Sequence, residues 1–153
     1  MIMAMNNSLV LKLTFFFFLC SSILGCVTSK NQTAEIKALI EKECATYRNG
    51  DALAHANCWH IQPYSRVLVS TKEGVTIDVP PSSMIQTDPK SLGNGTYSIS
   101  NLKISIKGKS AWVSHDEVST PKDGIASYSY EMKMLEKIDH EWKIVGLSVH
   151  VYK

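Results

Sequence analysis

Histidine and cysteine cluster in one short segment, where their spacing raises the question of a metal site. His55 and Cys58 are three residues apart, so on a helix their side chains share a face and can reach one ligand. His60 is five residues from His55 and would point elsewhere. Zinc needs four ligands, or three and a water, and no second cluster has a recognised spacing. We therefore predict structural histidines, with no metal and no cofactor.

The cysteines at 44 and 58 offer a second kind of chemistry. Each lies seven residues from Asp51 along the chain. If the chain reverses at Asp51, Cys44 and Cys58 come level across a helical hairpin, and a disulfide would close a loop of about 15 residues and stabilise the fold by about 3 kcal/mol. Two small buried thiols explain the same pattern equally well. The sequence leaves both alternatives open.

An aromatic and methionine stripe offers a third possibility, a binding surface. Tyr128, Tyr130, Met132 and Met134 alternate along the sequence and so share one face of a strand. Core packing explains such a stripe in most proteins. The alternative is a ligand wall, mostly apolar and with a few polar groups at its edge.

The hydrophobic residues are unevenly distributed along the 153-residue chain. Residues 1–25 contain 17 of them and all four phenylalanines. The apolar run over residues 13–24 is shorter than the roughly 20 residues that a membrane-spanning helix needs. Its length is typical of a secretory signal peptide.

The end of this leader resembles the lipobox of bacterial lipoproteins, in which a cysteine receives diacylglycerol. The matching residues are Ile23, Leu24, Gly25 and Cys26. The resemblance implies that residues 1–25 are removed, that Cys26 carries the membrane anchor and that residues 26–33 form a tether. Ordinary cleavage nearby, with Cys26 left as a free thiol, is the alternative. We expect a lipid-anchored protein of the bacterial cell envelope that faces the periplasm.

The charge of the chain indicates no nucleic-acid partner. The 16 basic and 14 acidic residues give a formal net charge of +2. No Lys/Arg cluster rises above this background, and binding to phosphates would require one.

The rest of the chain, residues 34–153, reads as one domain of helices followed by strands. Ile36, Leu39, Ile40, Cys44 and Tyr47 recur at helical spacing, with Glu43 assigned to the opposite, polar face. Beyond Pro63 the apolar period changes to two, which predicts strands. The predicted helices cover residues 33–48 and 51–60, a short one covers 82–85, and the predicted strands cover 66–70, 75–79, 97–106, 111–119, 126–137 and 142–152.

The last strand is apolar on both predicted faces. Trp142 and Ile144 share one face, and Val145, Leu147, Val149 and Val151 share the other. A strand that is apolar on both sides must be covered on both sides. We therefore predict a homodimer through the convex sheet face, with a cover formed by residues 80–95 as the alternative.

This order of elements resembles the nuclear transport factor 2-like superfamily, which includes SnoaL-like proteins and ketosteroid isomerase. The resemblance rests on residues 36–51, on residues 109–114 and on the closing hairpin over residues 135–145. It implies an α+β fold, in which an N-terminal helical hairpin packs on a strongly curved antiparallel sheet. Members of the superfamily form a cone with a pocket between helices and sheet.

The resemblance also implies which residues could line that pocket. Because a register error of one residue exchanges the two faces of a strand, both faces contribute candidates. These are Trp59, His60, Tyr64, Arg66, Tyr97, Trp112, His115, Tyr128, Tyr130 and His150.

Two kinds of function follow from such a pocket, and a third needs none. The first is binding of a small amphipathic molecule of unknown identity. The second is isomerase or lyase chemistry, in which one of the strand carboxylates Asp116, Glu117 and Glu131 acts as the general base and Tyr64, Tyr128 or Tyr130 donates a hydrogen bond. The third is a dimerisation and assembly module. A buried carboxyl or histidine with a shifted pKa would favour the enzyme.

Overall fold

A computed structural model describes residues 30–122 and 124–153. The predicted leader and the first half of the predicted tether, residues 26–29 with Cys26, lie outside these residues. A compact unit spans Glu35–Lys153. Helix α1 covers residues 30–49 and α2 covers Ala52–Ala56, and the strands are β1 (Val67–Ser70), β2 (Thr76–Val79), β3 (Thr96–Lys107), β4 (Ser110–Thr120), β5 (Ser127–Ile138) and β6 (Glu141–Val151).

The two helices form the predicted tight hairpin. Helix α1 ends where Gly50 takes a φ of 71°, which a glycine adopts without strain. Asp51 then caps α2, since its carboxylate accepts a hydrogen bond from the backbone N–H of Ala54 at 3.1 Å. Ile36 and Ile40 on α1 are fully buried in the core.

Helix α2 is shorter than the predicted span of residues 51–60. The chain after Ala56 is held by β6, which takes Trp59 into a parallel bridge with Ile144. The Ile144 N–H donates to the carbonyl of Cys58 at 2.9 Å, and the His60 N–H donates to the carbonyl of Ile144 at 3.0 Å. Residues 57 and 58 form a turn, and the bonds to β6 then hold Trp59 and His60 outside the helix, so α2 ends before them.

The six strands form one curved sheet in the order β2-β1-β6-β5-β4-β3. The predicted α+β class and the antiparallel meander of β3 to β6 are confirmed. Strand β1 pairs antiparallel with β2 but parallel with β6, which makes the sheet mixed. The turn-rich segment between β2 and β3 contains two short 3₁₀ helices, Pro81–Ile85 and Pro89–Ser91.

A β-bulge in β6 overturns the predicted faces of the last strand. Leu135 of β5 lies opposite Ile144, but the next residue, Met134, lies opposite Gly146, so Val145 is an extra residue. The bulge shifts the alternation by one, and Leu147 joins Ile144 against the core. The premise that β6 is apolar on two faces is therefore wrong, and any argument for a dimer must rest on other residues.

Candidate functional site

Two central strands turn a mixed set of side chains toward the helices. On β4 the buried positions alternate from Ala111 to Ser119, and on β5 they alternate from Ser129 to Leu135. The register pairs these positions across the two strands. Apolar pairs lie at one end of this inner face and polar pairs at the other, as the pairs Ala111–Leu135, Val113–Lys133, His115–Glu131 and Glu117–Ser129 show.

Lys133 lies at the centre of a buried polar cluster. Its side chain is 1% exposed, and its Nζ donates to Glu43 Oε2 at 2.9 Å. The same ammonium lies 3.1 Å from Glu131 Oε2 and 3.5 Å from His115 Nε2. Burial alone would lower the pKa of Lys133, but the carboxylates of Glu131 and Glu43 raise it well above its ordinary value. The lysine is therefore charged inside the protein.

Glu43 connects this ammonium to both helices. It lies on α1, and its Oε1 is 3.3 Å from Nε2 of His55 on α2. Burial would raise the pKa of Glu43, but Lys133 and the hydrogen bond to His55 outweigh burial and bring it to about 2. This carboxylate stays ionised although it is 6% exposed.

Glu117 forms the end of the cluster that approaches solvent. Arg48 Nη2 donates to its Oε1 at 3.0 Å, and the Cys44 thiol donates to its Oε2 at 3.3 Å. The side chain of Glu117 is 5% exposed and that of Arg48 is 17% exposed. Burial and the nearby Glu131 raise the pKa of Glu117 despite the opposing effect of Lys133 and Arg48.

The pKa of the neighbouring histidine, His115, shifts in the opposite direction. Burial, and then the charge of Lys133, lower the pKa of His115, so its imidazole is neutral at pH 7. A carboxyl that holds its proton more tightly than usual thus lies beside a neutral imidazole and an ion-paired carboxylate, Glu131. Environments that separate the pKa values of neighbouring groups in this way provide a general acid and a general base.

The side chains of His115, Glu117 and Glu131 also have the composition of a metal site. One ligand atom from each of His115, Glu117 and Glu131 lies within 4.8 Å of the others. However, the Lys133 ammonium is within 3.5 Å of two of these residues, so the chain's own cation occupies the position that a metal ion would need. The donor set therefore suits an internal ion-pair network better than a metal.

Comparison with solved structures identifies the architecture. A protein from Novosphingobium aromaticivorans, described as NTF2-like with a cystatin-like fold, superposes with a TM-score of 0.65 at 15% identity, over 86% of this chain and 88% of that one. The chain has the nuclear transport factor 2-like fold.

Other structures with this fold extend the comparison but share little sequence. An NTF-2 like protein of unknown function from Silicibacter pomeroyi gives a TM-score of 0.61 at 16% identity, over 80% of this chain and 98% of that one. A protein from Streptomyces avermitilis is named as a candidate dehydratase of the NTF2-like family. It superposes with a TM-score of 0.59 at 10% identity, over 80% of this chain and 97% of that one. No family model matches the sequence, and no curated protein matches it.

Within this nuclear transport factor 2-like fold, few of the predicted pocket residues lie near the cluster. His115 belongs to it, while Trp59 and Tyr97 pack with the core under the helices. The Tyr97 hydroxyl donates to the carbonyl of Glu41 at 3.1 Å. His60 is exposed, and Arg66 is exposed and ion-paired with Asp78 at 2.9 Å.

The remaining predicted residues line cavities on the opposite, outer side of the sheet or at its end. Tyr64 and Trp112 border a cavity of about 460 Å³. Tyr130 and His150 border one of about 520 Å³, which Asp116 also lines. Tyr128 borders a third of about 680 Å³. The structure therefore separates the predicted tyrosines from the buried acid-base cluster, and of the predicted carboxylates it places Glu117 and Glu131 within it.

Of the two alternatives for the cysteines at 44 and 58, the structure shows the buried thiols and not the disulfide. Cys44 and Cys58 are both free and buried. The Cys44 thiol faces Glu117, whereas the Cys58 thiol donates to the carbonyl of Ala54 at 3.3 Å. Burial raises the pKa of Cys58 to about 11 and that of Cys44 further, so neither is a nucleophile near neutral pH.

Three members of the cluster were absent from the predicted set, namely Glu43, Lys133 and Arg48. The assignment of Glu43 to the polar face of α1 is wrong. It lies three residues after Ile40 and four before Tyr47, which is the spacing of the apolar stripe, and this spacing was a usable signal. Lys133 shares one face of β5 with Glu131 and Leu135, but the alternation of side chains along a strand does not say which face is buried.

We predict that Lys133→Met destabilises the protein by about 3–5 kcal/mol, because it leaves Glu43 and Glu131 buried without a counter-charge. Urea denaturation at pH 7 measures the change. Lys103→Met, at an exposed position of β3, is the matched control and should stay within about 0.5 kcal/mol. Adding Glu43→Gln to Lys133→Met should recover part of the loss.

The same network should give an acid dependence of defined sign. The folded-state pKa of Glu43, about 2, lies below its ordinary value of 4.5. Its contribution is therefore fully present above pH 4.5 and is lost as the pH falls from 4.5 to 2. The double variant should lose less stability over this range than the wild type. Equal slopes for both proteins, or a neutral Lys133→Met, would contradict the ion-pair assignment.

Proposed function

We propose that this domain binds a small polar molecule where the Arg48 side chain reaches solvent beside the buried Glu117, and exchanges a proton with it through Glu117. The observation that carries the proposal is a carboxyl that is buried, has a raised pKa and lies at the solvent end of a charged cluster. Such carboxyls are frequent at catalytic sites. Ion pairs with Lys133 hold the rest of the cluster in place.

The arrangement supports both halves of a proton transfer. Glu117 can donate, and the neutral imidazole of His115 or the carboxylate of Glu131 can accept. The loss of water from a hydroxyl compound requires this pair of roles, and one protein of the same fold is named as a candidate dehydratase. We therefore place isomerase or lyase chemistry ahead of passive binding of an amphipathic ligand.

We predict that Glu117→Gln strongly slows the proton exchange. The probes are a panel of small ketones, hydroxy acids and keto acids, with NMR detection of deuterium incorporation at the carbon next to the carbonyl or carboxyl group. The wild type should exchange at least one compound, and Glu117→Gln should be slower by about 10²–10⁴-fold. Glu136→Gln, on the opposite face of the sheet where Glu136 accepts from Tyr64, is the matched control. Exchange by none of the panel, or at the wild-type rate in Glu117→Gln, would exclude the mechanism.

We also propose that the domain is exported and lipid-anchored through Cys26. The support is the sequence of the leader, with its short apolar run and the residues Ile23 to Cys26. No helix among residues 30–122 and 124–153 is long and apolar enough to cross a membrane. A lipid on the N-terminal cysteine would provide attachment without a spanning helix.

Cys26→Ala should abolish acylation and membrane association. Cells that express the wild type with radioactive palmitate should yield a labelled protein in the membrane fraction, and the variant should be unlabelled. Cys20→Ala, inside the leader, controls for the loss of a thiol. Persistent labelling of Cys26→Ala would show that the lipobox assignment is wrong.

The outer side of the sheet supports a third proposal, a homodimer. Trp112, Tyr130, Met132, Met134 and Tyr152 on this side are between 42% and 53% exposed, and we call them the outer patch. The rings of Tyr130 and Tyr152 stack at 4.4 Å, which presents a flat aromatic surface. Exposed apolar patches of this kind mark interaction surfaces, and a second copy offers an equal patch.

Trp112→Glu should convert the dimer to a monomer, because it introduces a charge at the centre of an apolar interface. Light scattering coupled to size exclusion measures the mass across a range of concentrations. Val75→Glu makes the same change at an exposed site in the turn between β1 and β2 and should leave the dimer intact. A wild type that remains monomeric at about 100 μM would refute the dimer.

A further inference from the structure

Arg48 differs from the other cation of the cluster in what surrounds it. Lys133 is enclosed by Glu43, Glu131 and His115, whereas Arg48 makes one ion pair, at 3.0 Å with Glu117. Its guanidinium carbon lies 4.9 Å from the centre of the Tyr47 ring, which holds the plane of the group. The Arg48 side chain is 17% exposed, whereas that of Lys133 is 1% exposed, so of these two cations Arg48 is the one that a ligand can reach.

The charge on Glu117 decides whether Arg48 is neutralised. When Glu117 is ionised, the pair is balanced. When Glu117 is protonated, Arg48 keeps a full positive charge, since Glu43 and Glu131 are bound to Lys133. An unbalanced guanidinium in a partly buried position favours an anionic partner, above all a planar carboxylate.

We infer that the substrate of this site is a small carboxylate, whose carboxylate group binds Arg48 while Glu117 takes up a proton. This inference rests on the proposed function and names its substrate class. The bound anion takes over the role of the Glu117 carboxylate as counter-ion of Arg48. Glu117 thereby gains the proton that it delivers in the chemical step.

The groups that face Glu117 come from four elements, and some of them raise its pKa while others lower it. Helix α1 supplies Arg48 and the Cys44 thiol, and β3 supplies Tyr97. The remaining neighbours are His115 on β4 and Glu131 and Lys133 on β5. A substrate carboxylate at Arg48 would add a further negative charge beside this set and so favour the protonated form of Glu117.

Gly93 forms part of the rim beside Arg48. A Cβ at this position would lie 2.8 Å from Arg48 Nη1 and 2.5 Å from Tyr47 Cε1. The backbone therefore packs directly on the two side chains and fixes them from the segment between β2 and β3. A methyl group there would push the guanidinium out of position, so Gly93→Ala provides a second probe that leaves the charge unchanged.

The experiment compares benzoate with benzamide as probes, together with the neutral ketones of the panel. Isothermal titration of the purified protein should show benzoate binding at least about tenfold more tightly than benzamide, because an ion-paired carboxylate forms the stronger hydrogen bonds. Titrations in two buffers of different ionisation enthalpy should reveal proton uptake, so affinity should fall as the pH rises through the titration of Glu117. Arg48→Gln should lose the preference and Arg48→Lys should keep part of it.

Matched controls separate this inference from the proposed function. Arg66→Gln removes another ion-paired arginine, outside the cluster, and should bind benzoate as the wild type does. Equal affinity for benzoate and benzamide, or benzoate binding unchanged in folded Arg48→Gln, overturns the carboxylate assignment. If neutral ketones still exchange deuterium through Glu117, the proposed function stands without it. If carboxylates bind Arg48 but no compound exchanges, the proposed function fails and the binding assignment stands.

Discussion

The buried ammonium of Lys133 is the constraint on which the interior of the domain depends. It projects from β5 and binds Glu43 of α1 and Glu131 of its own strand, and Glu43 in turn contacts His55 of α2. One charge thus ties the sheet to both helices. An ionised lysine in a protein interior requires such partners, because the cost of removing it from water is recovered only through close ion pairs. The helices can pack here only in the position that places Glu43 over β5.

The β-bulge in β6 decides what remains outside this interior. Because Val145 is an extra residue, Leu147 faces inward with Ile144, and the opposite side of the sheet receives Gly146 beside Met134. The outer patch is therefore carried by β4 and β5, with Tyr152 after β6, and not by the valines of the last strand. The sheet is consequently chemically divided: charged groups lie beneath the helices, and aromatic and methionine side chains lie on the far side.

The sequence predicts the strands well because a period of two and clear turns mark them. The predicted span of residues 111–119 lies within Ser110–Thr120, and 126–137 differs from Ser127–Ile138 by one residue at each end. For β5 the sequence indicates the wrong buried face. The face with Tyr130, Met132 and Met134 is more apolar than the face with Glu131, Lys133 and Leu135. Hydrophobicity selects the first face for the core, yet the structure buries the second. The network that reverses this choice joins residues up to 90 positions apart, and no local pattern reports such contacts.

The stability of the fold does not by itself explain a core that contains the ion pairs of Lys133 with Glu43 and Glu131. Replacing a buried ion network by apolar side chains of similar volume is often neutral or stabilising. The apolar end of the inner face, with Val113, Leu135 and Ile144 almost fully buried, shows that this fold packs well without charge. The polar end lies where Arg48 approaches solvent, and the carboxyl with the raised pKa is found there. On the proposed function, Lys133, Glu43 and Glu131 fix the position and protonation of Glu117, and this role would account for the charge in the core.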